Sequence, residues 1–518
     1  MRKWGPLIVL GMAQFLMVLD QAVMNVSISQ LVQDFDTTVS VIQGVITFYA
    51  LTMATLMLTG GKIGDILGRR KAFTIGLLIY ASGSALTAAS WSVGALLVGW
   101  SILEGIGAAL VLPALVALIA SNYTGRDRLA AFGVIGGVAG AGIAAGPIIG
   151  GYFTTNLSWR WVFVGEVLIA LLIVALVRII KDAPAGRKPQ LDMVGAVLTA
   201  LGLGLIVYAL LQASTWGWIE PRNSPIEPFG FSLTPFLVAA GLLTMWGFAR
   251  WEAHREASGR DPLVRMALLK VPALRSGLWS FLTQNTVLLG IFFTLPLYFQ
   301  IVLGLNALQT GIRMLPISVA MFLTSMSGPL LAKRWAPKRI VQAGFLTLVL
   351  ASLLLLSQVQ PSLNGVQVTI ALAVLGIGMG LIASQLGNIA QSSVGEQDRG
   401  EAGGLQWTSQ QLGSSLGTAV IGAVVLTALG AAFVGRVAEN PAVPDDLTYA
   451  IEIELNEETN FVSAEQVEDA LQQAGVDEAT TAQVVSEYQG AQLHALHAGL
   501  LVAAFLSLAG LLATRQLP

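Results

Sequence analysis

Long apolar stretches alternate with short polar ones along almost the whole chain. Fourteen stretches hold about twenty or more mostly apolar residues, the length that an α-helix needs to cross a lipid bilayer. Their approximate limits are 5–28, 39–60, 72–90, 94–120, 129–153, 160–180, 191–213, 231–250, 275–302, 308–331, 339–358, 365–388, 402–430 and 491–514. The first stretch lacks a small-residue cleavage site and contains Asp20, so we interpret it as a retained helix and not as a signal peptide. The pattern predicts an all-α integral membrane protein with fourteen transmembrane helices.

The order of these stretches has a rough internal symmetry of six spans, two spans and six spans. A long basic segment between Ala249 and Ser276 marks the seam. Transporters commonly arise by duplication of a helical bundle, with the substrate site between the two halves. The predicted domains are an N-terminal six-helix bundle at 1–182, two additional transmembrane helices at 183–250, a cytoplasmic linker at 251–274 and a C-terminal six-helix bundle at 275–518.

Composition and charge agree with a membrane protein. Hydrophobic residues make up 55% of the 518 positions and charged residues only 11%, whereas soluble domains carry about 25% charged residues. All but four of the 28 Lys and Arg residues lie in predicted cytoplasmic loops, tails and helix ends. By the positive-inside rule, both termini are therefore cytoplasmic.

The same composition excludes several classes of function. A net charge of −2 gives no reason to expect a nucleic-acid partner. The chain has no cysteine, and its three histidines form no ligand group, so we expect no metal and no cofactor. A phosphate loop and a nucleophile–base pair are also missing from the sequence, so we do not expect an enzyme.

An acidic segment separates the last two predicted spans. Between Arg436 and Gly490 the chain holds thirteen Asp and Glu residues and a single Arg. Ser463 and Gln466 form the pattern of a capping box at the start of a short helix, and VDEATTAQVVSEY predicts a second helix. This extracellular loop at about 436–490 is either a solvated cap or a small subdomain that gates the exit or attracts cations.

Three carboxylates lie inside otherwise apolar runs. Asp20, Glu104 and Glu166 occur in FLMVLDQAVM, WSILEGIGAA and VFVGEVLIAL. A charge at the centre of a membrane helix costs roughly 2.5–3.5 kcal/mol by insertion scales, and such residues usually handle protons, ions or substrates. We predict that these three residues bind protons or substrate.

The segment between the second and third spans has an ordered pattern of glycines and charges. It contains Gly61, Asp65, Gly68, Arg69 and Arg70. The glycines permit a tight turn and close helix approach. Asp65 is predicted to face the positive end of span three and to pair with Arg69 or Arg70, which would lock neighbouring helices in one of two states. The alternative is a simple anchor of positive charge.

The fifth span carries a stripe of small residues. Gly133, Gly136, Gly137, Gly140, Gly146 and Gly150 recur at roughly helical spacing and allow another helix to approach closely, and Gly142 belongs to the same span. Pro147 removes one backbone hydrogen bond and can kink the span. The stripe predicts either a pivot between the two halves or close packing without motion.

Together these motifs resemble the major facilitator superfamily. GGKIGDILGRRK is similar to the loop signature of that family, and GAGIAAGPIIGGYF is similar to its antiporter signature. Ser158-Trp-Arg-Trp-Val-Phe, Leu191-Asp-Met-Val-Gly and LPLYFQIVLGLNALQTGIRMLP follow in the expected order. The chain is identified as a member of the fourteen-span drug:proton antiporter branch over nearly its whole length.

The resemblance implies roles for individual residues. LDQAVMNVSI matches a first-span motif in which an acidic residue, here Asp20, helps to bind protons or cationic substrate; the alternative is an Asp satisfied by a nearby group such as Asn25. Span four departs from the family pattern, because Ser101 and Glu104 stand where an Arg and a Gln are usual. A buried carboxyl group without a basic partner favours its neutral form, which suits reversible protonation, although Glu104 can also be passive polar lining.

Two further residues are candidates. Span six, which contains Glu166, is usually peripheral in this architecture, so a position away from the cavity is the alternative for this residue. Arg313 in span ten is a possible counter-charge for the carboxylates, but the sequence does not place it against any of them.

The resemblance implies a proton-coupled secondary transporter in the plasma (inner) membrane. We expect a monomer among membrane lipids that exports hydrophobic or cationic drugs by alternating access, with the proton gradient as energy source. The alternatives are an exporter of an endogenous lipid, siderophore or secondary metabolite, and a non-transporting membrane sensor.

Overall fold

The computed structural model is helical in every segment that the hydropathy pattern predicts as a span. It describes the chain except residues 1–2, 38, 183–189, 222–223, 362–364, 445–446, 450 and 452–460, and the described residues contain no β-strand. We number the long helices in chain order as α1 Gly5–Val26, α2 Val39–Leu67, α3 Arg69–Ala88, α4 Val93–Asn122, α5 Gly125–Asn156, α6 Arg160–Leu176, α7 Met193–Trp216, α8 Leu233–Ala257, α9 Pro272–Val302, α10 Ala307–Leu331, α11 Pro337–Gln358, α12 Gly365–Ser392, α13 Arg399–Glu439 and α14 Glu478–Ala513.

Thirteen of these helices, within the described residues, are long and apolar enough to cross a membrane. The helix outside this group is α3, which begins with Arg69, Arg70 and Lys71 and carries a row of small polar residues. The multi-pass membrane class predicted from hydropathy is confirmed, while the count of fourteen spans and the side of the termini stay predictions.

The helices build two apolar cores. Side chains of α1–α6 form one core and side chains of α9–α14 form the other. Helices α7 and α8 pack on each other, and α7 also contacts α2 of the first group and α13 of the second. The two additional helices therefore lie beside the seam between the cores.

The segment between α8 and α9 is more helical than the predicted linker. The helix α8 continues to Ala257, a short helix covers Met266–Lys270, and α9 already begins at Pro272. The buried carboxylate of Glu252 on α8 accepts a hydrogen bond from the backbone N–H of Val264 at 3.2 Å. This contact ties the linker back onto α8.

The helix α5 lies along the seam and contacts both groups of helices. Near its start, the carbonyl of Gly133 accepts a hydrogen bond of 2.6 Å from Ser325 on α10. Four glycines of the predicted stripe pack on Ser325, Phe322 and Met321 of α10, namely Gly133, Gly136, Gly137 and Gly140. Farther along, Gly142 faces Val18, Gly146 faces Ala22 and Gly150 faces Val23, all on α1. The stripe therefore faces the second group of helices over its first half and α1 of its own bundle over its second half, and its role as a pivot stays a prediction. The backbone of α5 is helical through Pro147, whose side chain lies outside the described residues.

The acidic segment after α13 contains the short helix predicted from its capping box. Ser463 and Gln466 cap the helix Ala464–Gln473 from both directions. The second predicted helix is not separate, because residues from Glu478 onward belong to the 36-residue helix α14, which therefore begins before the last apolar stretch.

Candidate functional site

The three membrane carboxylates of the sequence meet inside the first group of helices. One carboxylate oxygen from each of Asp20, Glu104 and Glu166 lies within 4.8 Å of the other two. The residues come from α1, α4 and α6, and their exposed fractions are 0%, 0% and 1%. We call these three residues the carboxylate triad.

Asp20 is held by an aromatic pair. Its Oδ1 accepts a hydrogen bond of 2.7 Å from the indole Nε1 of Trp100 on α4, while Oδ2 has no hydrogen-bond partner among the described residues. The Trp100 ring stacks on Tyr49 of α2 with centroids 4.4 Å apart and planes 9° from parallel. Stacking fixes the indole plane and so directs its N–H at the carboxylate. The side chain of Asn25, the other partner considered for Asp20, lies outside the described residues.

Glu104 ends a wide helical turn next to a close helix crossing. Residues Leu97–Glu104 of α4 adopt π-helical geometry, which often occurs at functional sites. Opposite this turn lies Gly83 of α3, where a Cβ atom would stand 2.6 Å from the Gly99 carbonyl oxygen and 2.7 Å from Cγ of Glu104. The absence of a side chain at Gly83 therefore lets α3 approach, and Thr87 donates a hydrogen bond of 3.2 Å to Oε1 of Glu104.

Glu166 points into the bundle and not toward lipid. Its Oε2 accepts hydrogen bonds from the Tyr80 hydroxyl at 2.9 Å and from Ser84 at 3.3 Å, both on α3. Within the part of the chain that the structure describes, its Oε1 has no hydrogen-bond partner. The peripheral position considered for this residue is wrong for its side chain, because α6 packs on α3 and turns the carboxylate inward.

Among the described residues, no ion pair neutralises the triad. Arg313, the predicted counter-charge, is exposed on α10, and its guanidinium lies beside Gly365 at the start of α12. The structure therefore does not bring Arg313 to the carboxylates. Two unit charges 4.8 Å apart repel by roughly 3.5 kcal/mol at an effective dielectric constant of about 20. A triad with three ionised groups is accordingly unfavourable, and protons or another cation must offset its charge.

The sequence interpretation missed four of the donors that surround the triad. Tyr80, Ser84 and Thr87 follow each other at i, i+4 and i+7 on α3, so a polar stripe in an apolar helix was the available signal. Trp100 is the fourth of these donors. Ser101, at the position of the expected Arg, donates instead to the Val45 carbonyl of α2 at 2.7 Å and takes no part in the triad.

A second group of predicted residues closes one end of the bundle. We call this the basic end, where α2 ends and α3 begins. Asp65 pairs with Arg69, the first residue of α3, at 3.4 Å, as predicted, and its carboxylate also lies against Gly400 at the start of α13. A carboxylate in this place is favoured by the positive end of the α13 dipole. Arg69 also donates to the Glu396 carbonyl at 2.7 Å.

Gly61 and Gly68 of this motif have different structural roles. A Cβ atom at Gly61 would stand 2.8 Å from the carbonyl oxygen of Gly400, so the glycine lets α2 touch α13. Gly68 has φ +94°, a conformation that favours glycine, and makes the turn into α3. The acid at the start of α3 is Asp182, whose Oδ1 accepts a hydrogen bond from the Arg70 backbone N–H at 3.3 Å.

Further polar contacts join the two groups of helices at the basic end. Arg128 on α5 donates to Asn388 at 3.0 Å and to Ser392 at 2.6 Å, both on α12. Arg399 on α13 donates to the Ala120 carbonyl of α4 at 3.1 Å. These bonds hold the bundle closed at this end.

Comparisons with known proteins agree with this architecture. Residues 10–418 match the sequence profile of the Major Facilitator Superfamily. The chain is 32% identical over 458 residues to a puromycin resistance protein of Streptomyces alboniger, covering 86% of each chain. It is 30% identical over 438 residues to a probable actinorhodin transporter of Streptomyces coelicolor, covering 83% of this chain and 73% of the relative.

More distant similarities extend the comparison. The drug efflux pump JefA of Mycobacterium tuberculosis is 27% identical over 449 residues, which cover 86% of this chain and 84% of the relative. The crystal structure of the human organic anion transporter MFSD10 superposes with a TM-score of 0.56 at 15% identity and covers 98% of this chain and 99% of that chain. The last similarity concerns the fold alone.

Proposed function

This chain belongs to the Major Facilitator Superfamily, and we propose that it exports hydrophobic or cationic small molecules in exchange for protons. The observation that carries the proposal is the buried carboxylate triad without a basic partner among the described residues. Drug and antibiotic exporters among the relatives support the direction and the substrate class. The family membership favours a transporter over a membrane sensor.

The triad suits reversible proton binding for an electrostatic reason. Loss of a second proton would place two negative charges within 4.8 Å in a buried site, so the groups exchange protons in separate steps. Hydroxyl and indole donors on one oxygen of each group stabilise an ionised form, while the other oxygen stays free to carry a proton. In the proposed cycle, protons from outside neutralise the triad, and release toward the cytoplasm resets it.

The closed basic end corresponds to one step of alternating access. With the basic end in the cytoplasm, the contacts of Asp65, Arg69 and Arg128 shut the cytoplasmic entrance. The halves would separate at this end to take up the next substrate molecule. Loss of these contacts must then be offset by contacts at the opposite end.

An apolar groove offers hydrophobic compounds a route from the membrane. A groove of about 680 Å³ lies between α1, α5 and α10 near the basic end and is lined by apolar side chains such as Leu7, Ile8, Val134 and Met326. Such a surface admits acyl chains as well as apolar drugs. Because of this groove, an endogenous lipid or secondary metabolite is the second candidate substrate class.

Transport in proteoliposomes under an imposed pH gradient tests the proposal. The substrate panel contains cationic, neutral and anionic compounds, and a parallel series carries a sodium gradient in place of the pH gradient. We expect uphill export with the pH gradient and its loss in Asp20→Asn and Glu104→Gln proteins. Glu252→Gln is the matched control, since it changes a buried carboxylate of α8 outside the triad. Uphill export in both triad variants with unchanged pH dependence would contradict proton coupling, as would coupling to sodium alone.

A further inference from the structure

Glu401 on α13 is bound by two cations that come from different parts of the molecule. Lys62 on α2 donates to Oε1 at 2.8 Å. Arg265 of the linker donates its backbone N–H to Oε2 at 3.2 Å and places its guanidinium Nε 3.7 Å from the same oxygen. Lys62 and Glu401 are each only 3% exposed. Both carboxylate oxygens are therefore satisfied by charged or backbone donors.

Arg265 is attached to the same body as Glu401. Its guanidinium also forms an ion pair with Asp398, which directly precedes α13. The residues after Arg265 form the short helix Met266–Lys270 and lead at once into α9, which packs along α13. Lys62, in contrast, belongs to α2 and the first group of helices. Separation of the two groups at the basic end would move Lys62 away and leave Arg265 in place.

We propose that Arg265 compensates the charge of Glu401 when the basic end opens. In the closed state Glu401 contacts both Lys62 and Arg265, and in the open state it contacts Arg265 alone. The proposal rests on the alternating access of the proposed function. Separating Lys62 from Glu401 loses the attraction between two opposite charges. A second cation on the Glu401 side removes most of that penalty. The linker thereby takes part in opening the gate.

The proposal assigns opposite effects to the two cations of one carboxylate. Loss of Lys62 weakens only the closed state, because Glu401 keeps Arg265 in both states. Loss of Arg265 weakens chiefly the open state, where Glu401 would have no other cation. The ion pair of Arg265 with Asp398 is present in both states, so its loss does not change the ratio of open to closed protein. If the cluster only stabilised the fold, both substitutions would instead shift the open population in the same direction.

Alkylation of a single cysteine measures the open population. The chain has no cysteine, so Leu58→Cys supplies a unique thiol at a buried position of α2 whose side chain lies against Gly404 of α13. A bulky water-soluble maleimide is added to the purified protein in nanodiscs, without substrate; nanodiscs enclose no compartment, so no pH gradient is present. In this background we expect Lys62→Met to raise the alkylation rate about tenfold and Arg265→Gln to lower it about tenfold.

Matched controls use basic residues that are exposed near the same elements. Lys71→Met on α3 and Lys270→Gln on the short linker helix should leave the rate unchanged. In a Glu401→Gln background, Arg265→Gln should lose its effect, because no carboxylate charge remains to be compensated. This comparison also keeps the test decisive if Lys62→Met does not fold.

Several outcomes would overturn the exchange. The exchange is contradicted if the alkylation rate changes in the same direction in Lys62→Met and Arg265→Gln, or changes in neither. It is also contradicted if Arg265→Gln keeps its full effect in the Glu401→Gln background. Because no substrate or proton gradient is present, the result is separate from proton coupling. Opposite shifts in a protein that does not export against a pH gradient would support the exchange and contradict the proposed function.

Discussion

The indole Nε1 of Trp100 donates a hydrogen bond of 2.7 Å to Oδ1 of Asp20 and joins residues eighty positions apart in the sequence. Both side chains are buried, so this bond is a fixed part of the carboxylate triad. It connects α1 to α4 at the point where the proposed proton exchange takes place.

Replacing Trp100 by Phe tests the importance of this bond. The ring still stacks on Tyr49, but Asp20 loses its donor. Hydrogen bonds to charged groups contribute about 1.5–3 kcal/mol, which corresponds to roughly a tenfold to hundredfold loss of proton-driven transport. Initial transport rates in proteoliposomes provide the measurement. Trp91→Phe is the control, because Trp91 is 76% exposed; equal losses in the two variants would exclude a specific role of the indole N–H.

Gly83 is expected to tolerate no side chain. An added methyl group would stand 2.6 Å from the Gly99 carbonyl oxygen and 2.7 Å from Cγ of Glu104, so α3 and α4 must separate. Overpacking of this kind typically costs about 1–3 kcal/mol. We expect Gly83→Ala to lower the thermal midpoint in detergent and to reduce transport. Gly165→Ala in α6 should change neither, since nothing lies within 4 Å of a Cβ there, and a stable, active Gly83→Ala protein would contradict the close approach.

Tyr80 and Glu166 should act as one unit. The Tyr80 hydroxyl donates to Oε2 of Glu166 at 2.9 Å, so Tyr80→Phe and Glu166→Gln each remove the same charged hydrogen bond. Their effects on transport are therefore expected to be non-additive by about 0.5–3 kcal/mol in a double-mutant cycle. Strict additivity of the two effects would show that the hydroxyl does not serve Glu166. Ser82→Ala, at an exposed position of α3, supplies the control for α3 itself.

Asp34, in the short helix Ile28–Asp34, should make the stability of the protein depend on pH in the acid range. Burial raises the pKa of Asp34, but hydrogen bonds from Gln30, Trp159 and Arg160 outweigh burial and hold the pKa below its ordinary value of 3.8. A lowered pKa stabilises the fold above the unfolded value, and this contribution is lost as the pH falls through the folded value. The midpoint difference between the unsubstituted protein and Asp34→Asn should therefore be constant above about pH 5 and shrink in stronger acid.

The control for this effect is Gln33→Ala in the same short helix, because Gln33 is exposed and carries no titratable group. A midpoint difference for Asp34→Asn that grows in acid would contradict the assigned direction. Thermal unfolding monitored by intrinsic tryptophan fluorescence in detergent is a suitable measurement, since Trp159 lies directly against Asp34 with its Nε1 2.8 Å from Oδ2.

Motifs that depend on local spacing were predicted well. The capping box at Ser463 and Gln466 and the ion pair of Asp65 with Arg69 involve residues three or four positions apart, so the chain itself brings them together. The additional contact of Asp65 with the start of α13 was not predicted, because α13 lies more than three hundred residues away. No local pattern distinguishes its N-terminus from that of α3.

The sequence by itself determined that the protein is a membrane-embedded bundle, because helices of about twenty apolar residues must satisfy their own backbone hydrogen bonds in lipid. It also identified Asp20, Glu104 and Glu166, because charges are costly in that setting. Only the tertiary structure decided that the three carboxylates share one site, that Trp100, Tyr80 and Thr87 serve them, and that Arg313 does not. The facing direction of each side chain depends on how α1, α3, α4 and α6 are rotated about their axes, and packing between helices sets that rotation.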